Sequence, residues 1–419
     1  MTVTLGGANL VLPDRVLGPA TLTIDDDRIV EIVPAGGPVR AGVTHHDLTG
    51  HFVVPGFIDV HVHGVDGLDS LDTGAPIEAI ARRLTRHGVT AFCPTTVACT
   101  PVQLAVVLAA IEAARRNPAP ETARVLPAHL ESNFINPEYR GAQPLGCLRV
   151  PLMGPTSRVA VGSSAGAGPD AGQLADAGSE FAAEDILAVI AAAPGQVAIV
   201  TVAPEIDGGL DLVRHLVAAG HRVSLGHSGA DYGQGLAGVA AGATHATHLF
   251  NRMPPFHHRA PGLVGAVLDS ETVAVEIICD GYHVHPALVR SAVARKSPSG
   301  VMAISDGTAG SGLPAGARAS LGGRPITVHE HAAFLDDGTL AGSVLTMSGA
   351  FRRLVREMGF SLVEAAHLCA TTPAQRLGLI GQGRLAAGML ADLVVLDADL
   401  AVQQTWVGGR LVFGSGAAS

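Results

Sequence analysis

Apolar and polar positions fall into two regimes along this chain. Both ends carry short alternating runs, while the middle carries compact apolar runs separated by longer stretches with helical spacing. At the N-terminal end, Val3–Leu5, Asn9–Leu12, Ala20–Ile24 and Arg28–Val33 are predicted strands, set apart by Gly, Pro and Asp turns. The runs 391–397 and 406–412 have the same character. The pattern predicts one small β-sandwich domain assembled from residues 1–54 and 380–419.

In the middle, the predicted strands are Gly56–His63, Ala91–Thr95, Val125–Glu131, Val197–Ala203, Val223–Gly226, His245–Leu249, Val273–Ile278 and Val301–Ser305. Helical stretches such as Ile77–His87, Pro101–Arg116, Ala183–Ala193 and Gly209–Ala219 lie between them. Strand-then-helix units repeated eight times predict an α/β fold, a (β/α)8 TIM-like barrel over residues 55–379. A doubly wound open sheet is the competing arrangement, but it would not call for functional groups after so many strands. Gly162–Gly178 is rich in Gly, Ala and Ser without periodicity, and reads as a mobile loop or disordered insertion.

Composition narrows the class. The chain has 419 residues, 47% hydrophobic and 15% charged, which suits a large core and excludes wholesale disorder. A net charge of −10 argues against a nucleic-acid partner. Five dispersed cysteines without a CxxC pair predict reduced thiols in a cytoplasmic protein. The N-terminus lacks the basic start and apolar core of a signal peptide. Mean hydropathy is +0.35, yet the most apolar region, Ile186–Val202, is split by Pro194-Gly195. That is too soon for a span of about 20 residues, so no membrane segment is expected.

The chemistry gathers at strand ends. His61 and His63 alternate along the first barrel strand and so share one side of the pleat, where two imidazoles can grip a divalent ion. Further along come His129 and Glu131 after the third strand, His227 after the fifth, His248 after the sixth and Asp306 after the eighth. Any one of these histidines alone reads more readily as a hydrogen-bonded core residue than as a ligand. Their placement at the converging ends of separate barrel strands is what points to a site. His61, His63 and Glu131 suit one metal, while Glu131, His227 and His248 suit another or the same one. A carboxylate bridge accommodates two ions about 3.5–4 Å apart. Asp306 is the natural general base. Imidazole and carboxylate ligands suit zinc, with iron, manganese or cobalt as alternatives.

The chain resembles the amidohydrolase superfamily and, within it, the N-acetylglucosamine-6-phosphate deacetylase family. The matching segments are Pro55–Gly64, His129-Leu-Glu131, Ala203-Pro-Glu205, Gly226-His-Ser228, Thr247-His-Leu-Phe-Asn251, His257-His-Arg259, Asp280–His285, Ser305-Asp306 and Leu340–Met347. The resemblance runs nearly end to end. It implies a homodimer that hydrolyses the acetamide of an amino-sugar phosphate, with one or two divalent ions per subunit. It makes Glu131, His227 and His248 ligands of the principal metal, His61 and His63 ligands of a further ion, and Asp306 the acid/base. Asn251, Arg252, Arg259 and His283 are implied to contact the sugar phosphate, with Arg259 reaching across the dimer. Ala142, Gln143, Leu340, Ala341 and Gly342 are implied to line the sugar pocket. Glu205 reads as a structural carboxylate below the site, and Tyr282 as a packing residue.

Three positions depart from the family pattern. Ser132-Asn133 replaces Gly-Pro, Gln143 stands where many relatives have histidine, and Gly307 stands where alanine is usual. None removes a ligand or the base, but together they bear on which sugar is used. A deacetylase of another N-acylated sugar, such as N-acetylgalactosamine 6-phosphate, is the neighbouring reading, because epimers differ by the placement of one hydroxyl. A non-catalytic sugar-phosphate-binding paralogue is a second, although it would have no need of Asp306. A dihydroorotase-like enzyme is disfavoured, since the fourth strand ends near Thr201–Glu205 without a lysine.

Overall fold

A computed structural model describes residues 2–34, 44–151 and 180–414; the predicted loop at Gly162–Gly178 lies outside them. The middle of the chain is a parallel barrel. Its strands are β1 (Phe57–Val62), β2 (Val89–Thr96), β3 (Ala128–Leu130), β4 (Val197–Val202), β5 (Arg222–Leu225), β6 (His245–Ala246), β7 (Ala274–Ile278) and β8 (Val301–Ile304). Each pairs in parallel with the next. The seam between β8 and β1 is closed just past the end of β8. There the Asp306 N–H donates to the His61 carbonyl at 2.9 Å and the His63 N–H to the Gly307 carbonyl at 2.8 Å. The residues that close the barrel therefore flank the candidate chemistry.

A helix follows every barrel strand: α1 (Ile77–Leu84), α2 (Pro101–Arg116), α3 (Ala183–Ala192), α4 (Gly209–Ala218), α5 (Tyr232–Ala240), α6 (Gly262–Asp269), α7 (Pro286–Lys296) and α8 (Met347–Arg356). The second shows why the predicted boundaries hold. Thr100 and Gln103 form a capping box, Pro101 occupies the first turn, and Leu104, Val107, Leu108 and Ile111 bury one face. On α8, Phe351 stacks on Phe57 of β1 with centroids 5.2 Å apart, and both rings are fully buried.

The third predicted strand is divided in the structure. Arg124–Val125 and Ala128–Leu130 are separate pieces, because Pro127 has no N–H to give a ladder. At the N-terminus, the two predicted strands Val3–Leu5 and Asn9–Leu12 are one strand, Thr2–Val11, whose register shifts beside Gly6-Gly7. It pairs with Val16–Asp25 and with Phe52–Pro55, which in turn pairs with Leu393–Leu396. Strands from both ends thus join one sheet, with a core of its own around Leu5, Leu22, Ile24, Leu393 and Trp406.

One element went unpredicted. Between β8 and α8, Arg318–Leu321, Arg324–Val328, Ala332–Leu335 and Leu340–Ser343 form a four-stranded antiparallel sheet. Its last strand brings Leu340 and Gly342 to the barrel mouth. Among the described residues, no helix is long and apolar enough to cross a membrane.

Candidate metal centre and active site

His61 and His63 alternate along and just past β1, and their Nε2 atoms lie 3.3 Å apart, both side chains buried. Glu131 follows β3 and is the hub of the cluster. Its Oε1 lies 2.8 Å from His227 Nε2 and 2.9 Å from His248 Nε2, while its Oε2 lies 3.4 Å from His63 Nε2. The two nitrogens of His227 and His248 are themselves 2.9 Å apart. Asp306 Oδ1 sits 3.3 Å from His61 Nε2 and 3.4 Å from His63 Nε2. The five predicted ligands and the predicted base therefore converge on one point.

Backbone strain aims three of these side chains. His227, His248 and Asp306 have φ of 46°, 28° and 48°, a left-handed conformation that side-chain-bearing residues seldom adopt. Each sits just past its strand, where the reversal brings it to the mouth. Gly342 supports this arrangement from the added sheet. Its φ is 58°, and a Cβ there would lie 2.6 Å from Thr308 Cγ2 and 3.1 Å from the Asp306 carbonyl.

The hydrogen bonds identify the tautomers and test whether a cation fits. His227 Nδ1 lies 2.9 Å from the Tyr139 carbonyl, which can only accept, so Nδ1 carries the proton. With that proton fixed, Nε2 faces Glu131 Oε1 at 2.8 Å, a contact that needs a proton or a cation between the two atoms. His61 Nδ1 donates to Glu276 Oε2 at 2.9 Å, leaving its Nε2 bare beside Asp306. Lone pairs packed at these distances repel unless positive charge sits among them. A divalent cation fits that requirement, and the donor set of imidazole and carboxylate suits it.

The titration behaviour carries the same demand. Burial drives His61 down to about 4. Burial also works against a charge on His63, but hydrogen bonds that it donates to Asp306 and Glu131 pull its pKa up to about 10. Burial would raise Glu131, yet the neighbouring His227 and its hydrogen bond outweigh that and hold it well below the carboxylate range. Asp306 is likewise lowered, with His61 and His63 overcoming burial. The pocket prefers Glu131 and Asp306 ionised and positive charge between them.

The remaining predicted residues divide. Ala142, Gln143, Asn251, Arg252, His283, Leu340 and Gly342 line the same cavity as the cluster, joined by the unpredicted Leu321. Arg252 approaches the Leu340 carbonyl at 3.5 Å, and Gly141 makes room for it, since a Cβ there would lie 2.5 Å from its Nε. Ala341 is buried in the core of the added sheet and does not line the cavity. Arg259 is exposed and also lies outside it. Tyr282 is half exposed, against His283, His331 and Phe334. His129 is satisfied by the Val60 carbonyl at 3.0 Å and Thr201 Oγ1 at 2.9 Å, which is the core-residue reading of a strand-end histidine.

The departures from pattern have local reasons. Asn133 donates to the Cys99 and Cys147 carbonyls, both at 2.7 Å, and Ser132 to the Thr201 carbonyl, so both pin loops. Gln143 accepts from the Ala98 N–H at 2.7 Å and donates to Glu131 Oε2. At Gly307 a Cβ would meet Ser311 Oγ at 2.8 Å and Ser305 Oγ at 3.0 Å. Glu205 accepts from Asn136 Nδ2, Ser228 Oγ and the Gly229 N–H at 2.9, 2.7 and 2.6 Å, bracing the loop that carries His227. The residue that sequence reasoning missed is Glu276. It is a fully buried carboxylate within the apolar β7, and its one signal is that lone charge.

Comparison with known proteins follows the same lines. Residues 52–412 match the amidohydrolase family profile. An N-acetylglucosamine-6-phosphate deacetylase from Rattus norvegicus is 36% identical over 410 residues, covering 95% of this chain and 90% of that protein. An N-acetylgalactosamine-6-phosphate deacetylase from Escherichia coli O157:H7 is 32% identical over 415 residues, covering 98% and 99%. Among solved structures, an N-acetyl-D-glucosamine-6-phosphate deacetylase mutant from Mycobacterium smegmatis, in complex with N-acetyl-D-glucosamine-6-phosphate, superposes with a TM-score of 0.82. It is 31% identical, and the match covers 98% of this chain and 99% of that one.

Proposed function

The chain belongs to the amidohydrolase family, and from that premise we propose that it is a divalent-metal-dependent deacetylase of N-acetylglucosamine 6-phosphate, releasing glucosamine 6-phosphate and acetate. The observation that carries this reading is the convergence of two histidine pairs, Glu131 and Asp306 on one buried point that opens into a cavity containing Arg252.

Glu131, His227 and His248 would hold the principal ion, zinc by donor type, with iron, manganese or cobalt as substitutes. His61 and His63 would hold a further one. Such an ion, when bound, supplies Lewis acidity, polarising the acetyl carbonyl and bringing the pKa of water towards about 7. The chain's own groups do the rest. Asp306 takes the proton of the attacking water and passes it to the departing sugar nitrogen, so the C–N bond breaks to a neutral amine. Gln143 holds Glu131 from one side and the Ala98 N–H from the other, which fixes the hub.

The substrate's anionic end is met by Arg252, whose guanidinium suits a phosphate, with Asn251 and His283 beside it. His283 Nδ1 is engaged by Asp280 Oδ2 at 2.6 Å, which leaves Nε2 for the substrate. Ala142, Leu340 and Gly342 border the sugar, and Ala341 holds that edge from beneath. Arg259 lies outside its own pocket and, in a homodimer, would serve the neighbouring subunit's. Five dispersed cysteines without a CxxC pair suit a reducing cytoplasm.

The Escherichia coli relative supports a second reading, the galactosamine epimer as substrate. Acetate release from N-acetylglucosamine 6-phosphate, its galactosamine epimer and unphosphorylated N-acetylglucosamine, measured side by side, separates the readings. The first substrate is expected to have the highest kcat/KM. A higher value for the epimer would reassign the sugar, and equal turnover of the unphosphorylated sugar would remove the phosphate role of Arg252.

A further inference from the structure

We propose that Glu276 is a positioning residue that makes the His61–His63 pair a lasting second metal position; this rests on reading the cluster as a metal centre. Glu276 stands mid-strand on β7, fully buried among Ala274, Val275, Ile277 and Ile278. Its Oε2 receives the His61 Nδ1 proton at 2.9 Å, across the barrel from β7 to β1. Among the described residues its Oε1 has no hydrogen-bond partner. His129 Nδ1 is 3.6 Å away and already serves the Val60 carbonyl. A buried carboxylate is costly to keep, and among the described residues the one side chain within hydrogen-bond distance of it is the far side of a candidate ligand ring.

Two consequences follow from that geometry. First, His61 is locked with its proton on Nδ1, so Nε2 presents a lone pair towards His63 and Asp306. A metal-bound histidine is typically held in this way, and the partner carboxylate raises the basicity of the ring. Second, the charge count changes. Glu276 is a third buried carboxyl at the same centre, beside Glu131 and Asp306, and burial pushes its pKa up to about 7. Asp59, also buried there, is met by Ser305 Oγ at 2.5 Å and by the N–H groups of Ser305 and His61 at 3.3 Å. Among the described residues Glu276 has no such set of donors, so positive charge on the His61 side is what would keep it ionised. A purely architectural role would be filled as well by glutamine, which keeps shape and an acceptor for His61 without the charge.

The test is the metal content of the full-length protein after zinc loading and desalting, together with the rate at which a chelator removes each ion. Wild type is expected to hold two ions per subunit. Glu276→Gln is expected to retain the ion at Glu131, His227 and His248 and to bind the other about 10- to 100-fold more weakly. His61→Ala should lose that same ion, and Glu276→Asp should fall between. Equal stoichiometry and chelator release in Glu276→Gln and wild type would overturn the proposal while leaving the metal centre standing. A single ion in wild type would also overturn it, and no ion at all would overturn the reading beneath it. A measurement on wild type needs no variant to fold: in histidine-labelled protein, His61 should carry its proton on Nδ1. A proton on Nε2 would refute the proposal.

Discussion

Gln143→Ala removes two hydrogen bonds with separable consequences. Gln143 is 3% exposed and stands between the Ala98 N–H, 2.7 Å from its Oε1, and Glu131 Oε2, which receives its Nε2–H. Truncation leaves the Ala98 N–H buried and unpaired, which costs about 1–3 kcal/mol of stability whether or not an ion is bound. It also removes a charge-assisted bond to the hub carboxylate, worth about 1.5–3 kcal/mol. That second loss falls on the orientation of Glu131 and hence on metal affinity. Loss of a group that orients a ligand typically costs about 10- to 100-fold. The assay is urea unfolding of metal-free protein for the first effect and competition with a fluorescent chelator for the second. Gln143→Glu keeps an acceptor for Ala98 but sets a second carboxylate against Glu131, so the metal-free variant should be destabilised through repulsion instead. Metal-free Gln143→Ala unfolding within about 0.5 kcal/mol of wild type, with unchanged metal affinity, would refute this account of the residue.

Other perturbations separate the parts of the site. Asp306→Asn should lower kcat by about 10²–10⁴ while metal content stays at the wild-type level; a fall of less than tenfold would remove Asp306 from proton transfer. Arg252→Ala should raise KM for the phosphorylated sugar by roughly 10- to 100-fold, from the loss of about 1.5–3 kcal/mol of charge-assisted bonding. It should leave turnover of the unphosphorylated sugar unchanged, and an equal effect on both would show that Arg252 does not meet the phosphate. Phe351→Ala deletes a fully buried ring stacked on Phe57 and should cost about 3–5 kcal/mol in denaturant unfolding.

What could be read from sequence followed burial. The barrel strands were legible because strands buried on both faces are uninterrupted apolar runs such as Val197–Val202. The candidate ligands were legible because they end those runs. The added sheet was not, since its strands are short and half exposed. One signal was present, the Gly322-Gly323 pair with φ of 57° and 81° between Arg318–Leu321 and Arg324–Val328, a two-residue hairpin turn. Two features have no local signature. The left-handed backbone at His227, His248 and Asp306 is imposed by what surrounds those residues. The pairing of Glu276 with His61 depends on register across a closed barrel, which joins residues 215 positions apart.

The central claim is that metal-dependent hydrolysis takes place at the Glu131–Asp306 centre. Its most direct test is acetate release from N-acetylglucosamine 6-phosphate by one preparation assayed after chelator treatment and again after zinc reloading. Stripped protein should release none, reloaded protein should turn over, and reloaded Asp306→Asn with equal metal content should stay near the stripped level. Full activity in the stripped state, or none from the wild type with zinc verified in the protein, would contradict it.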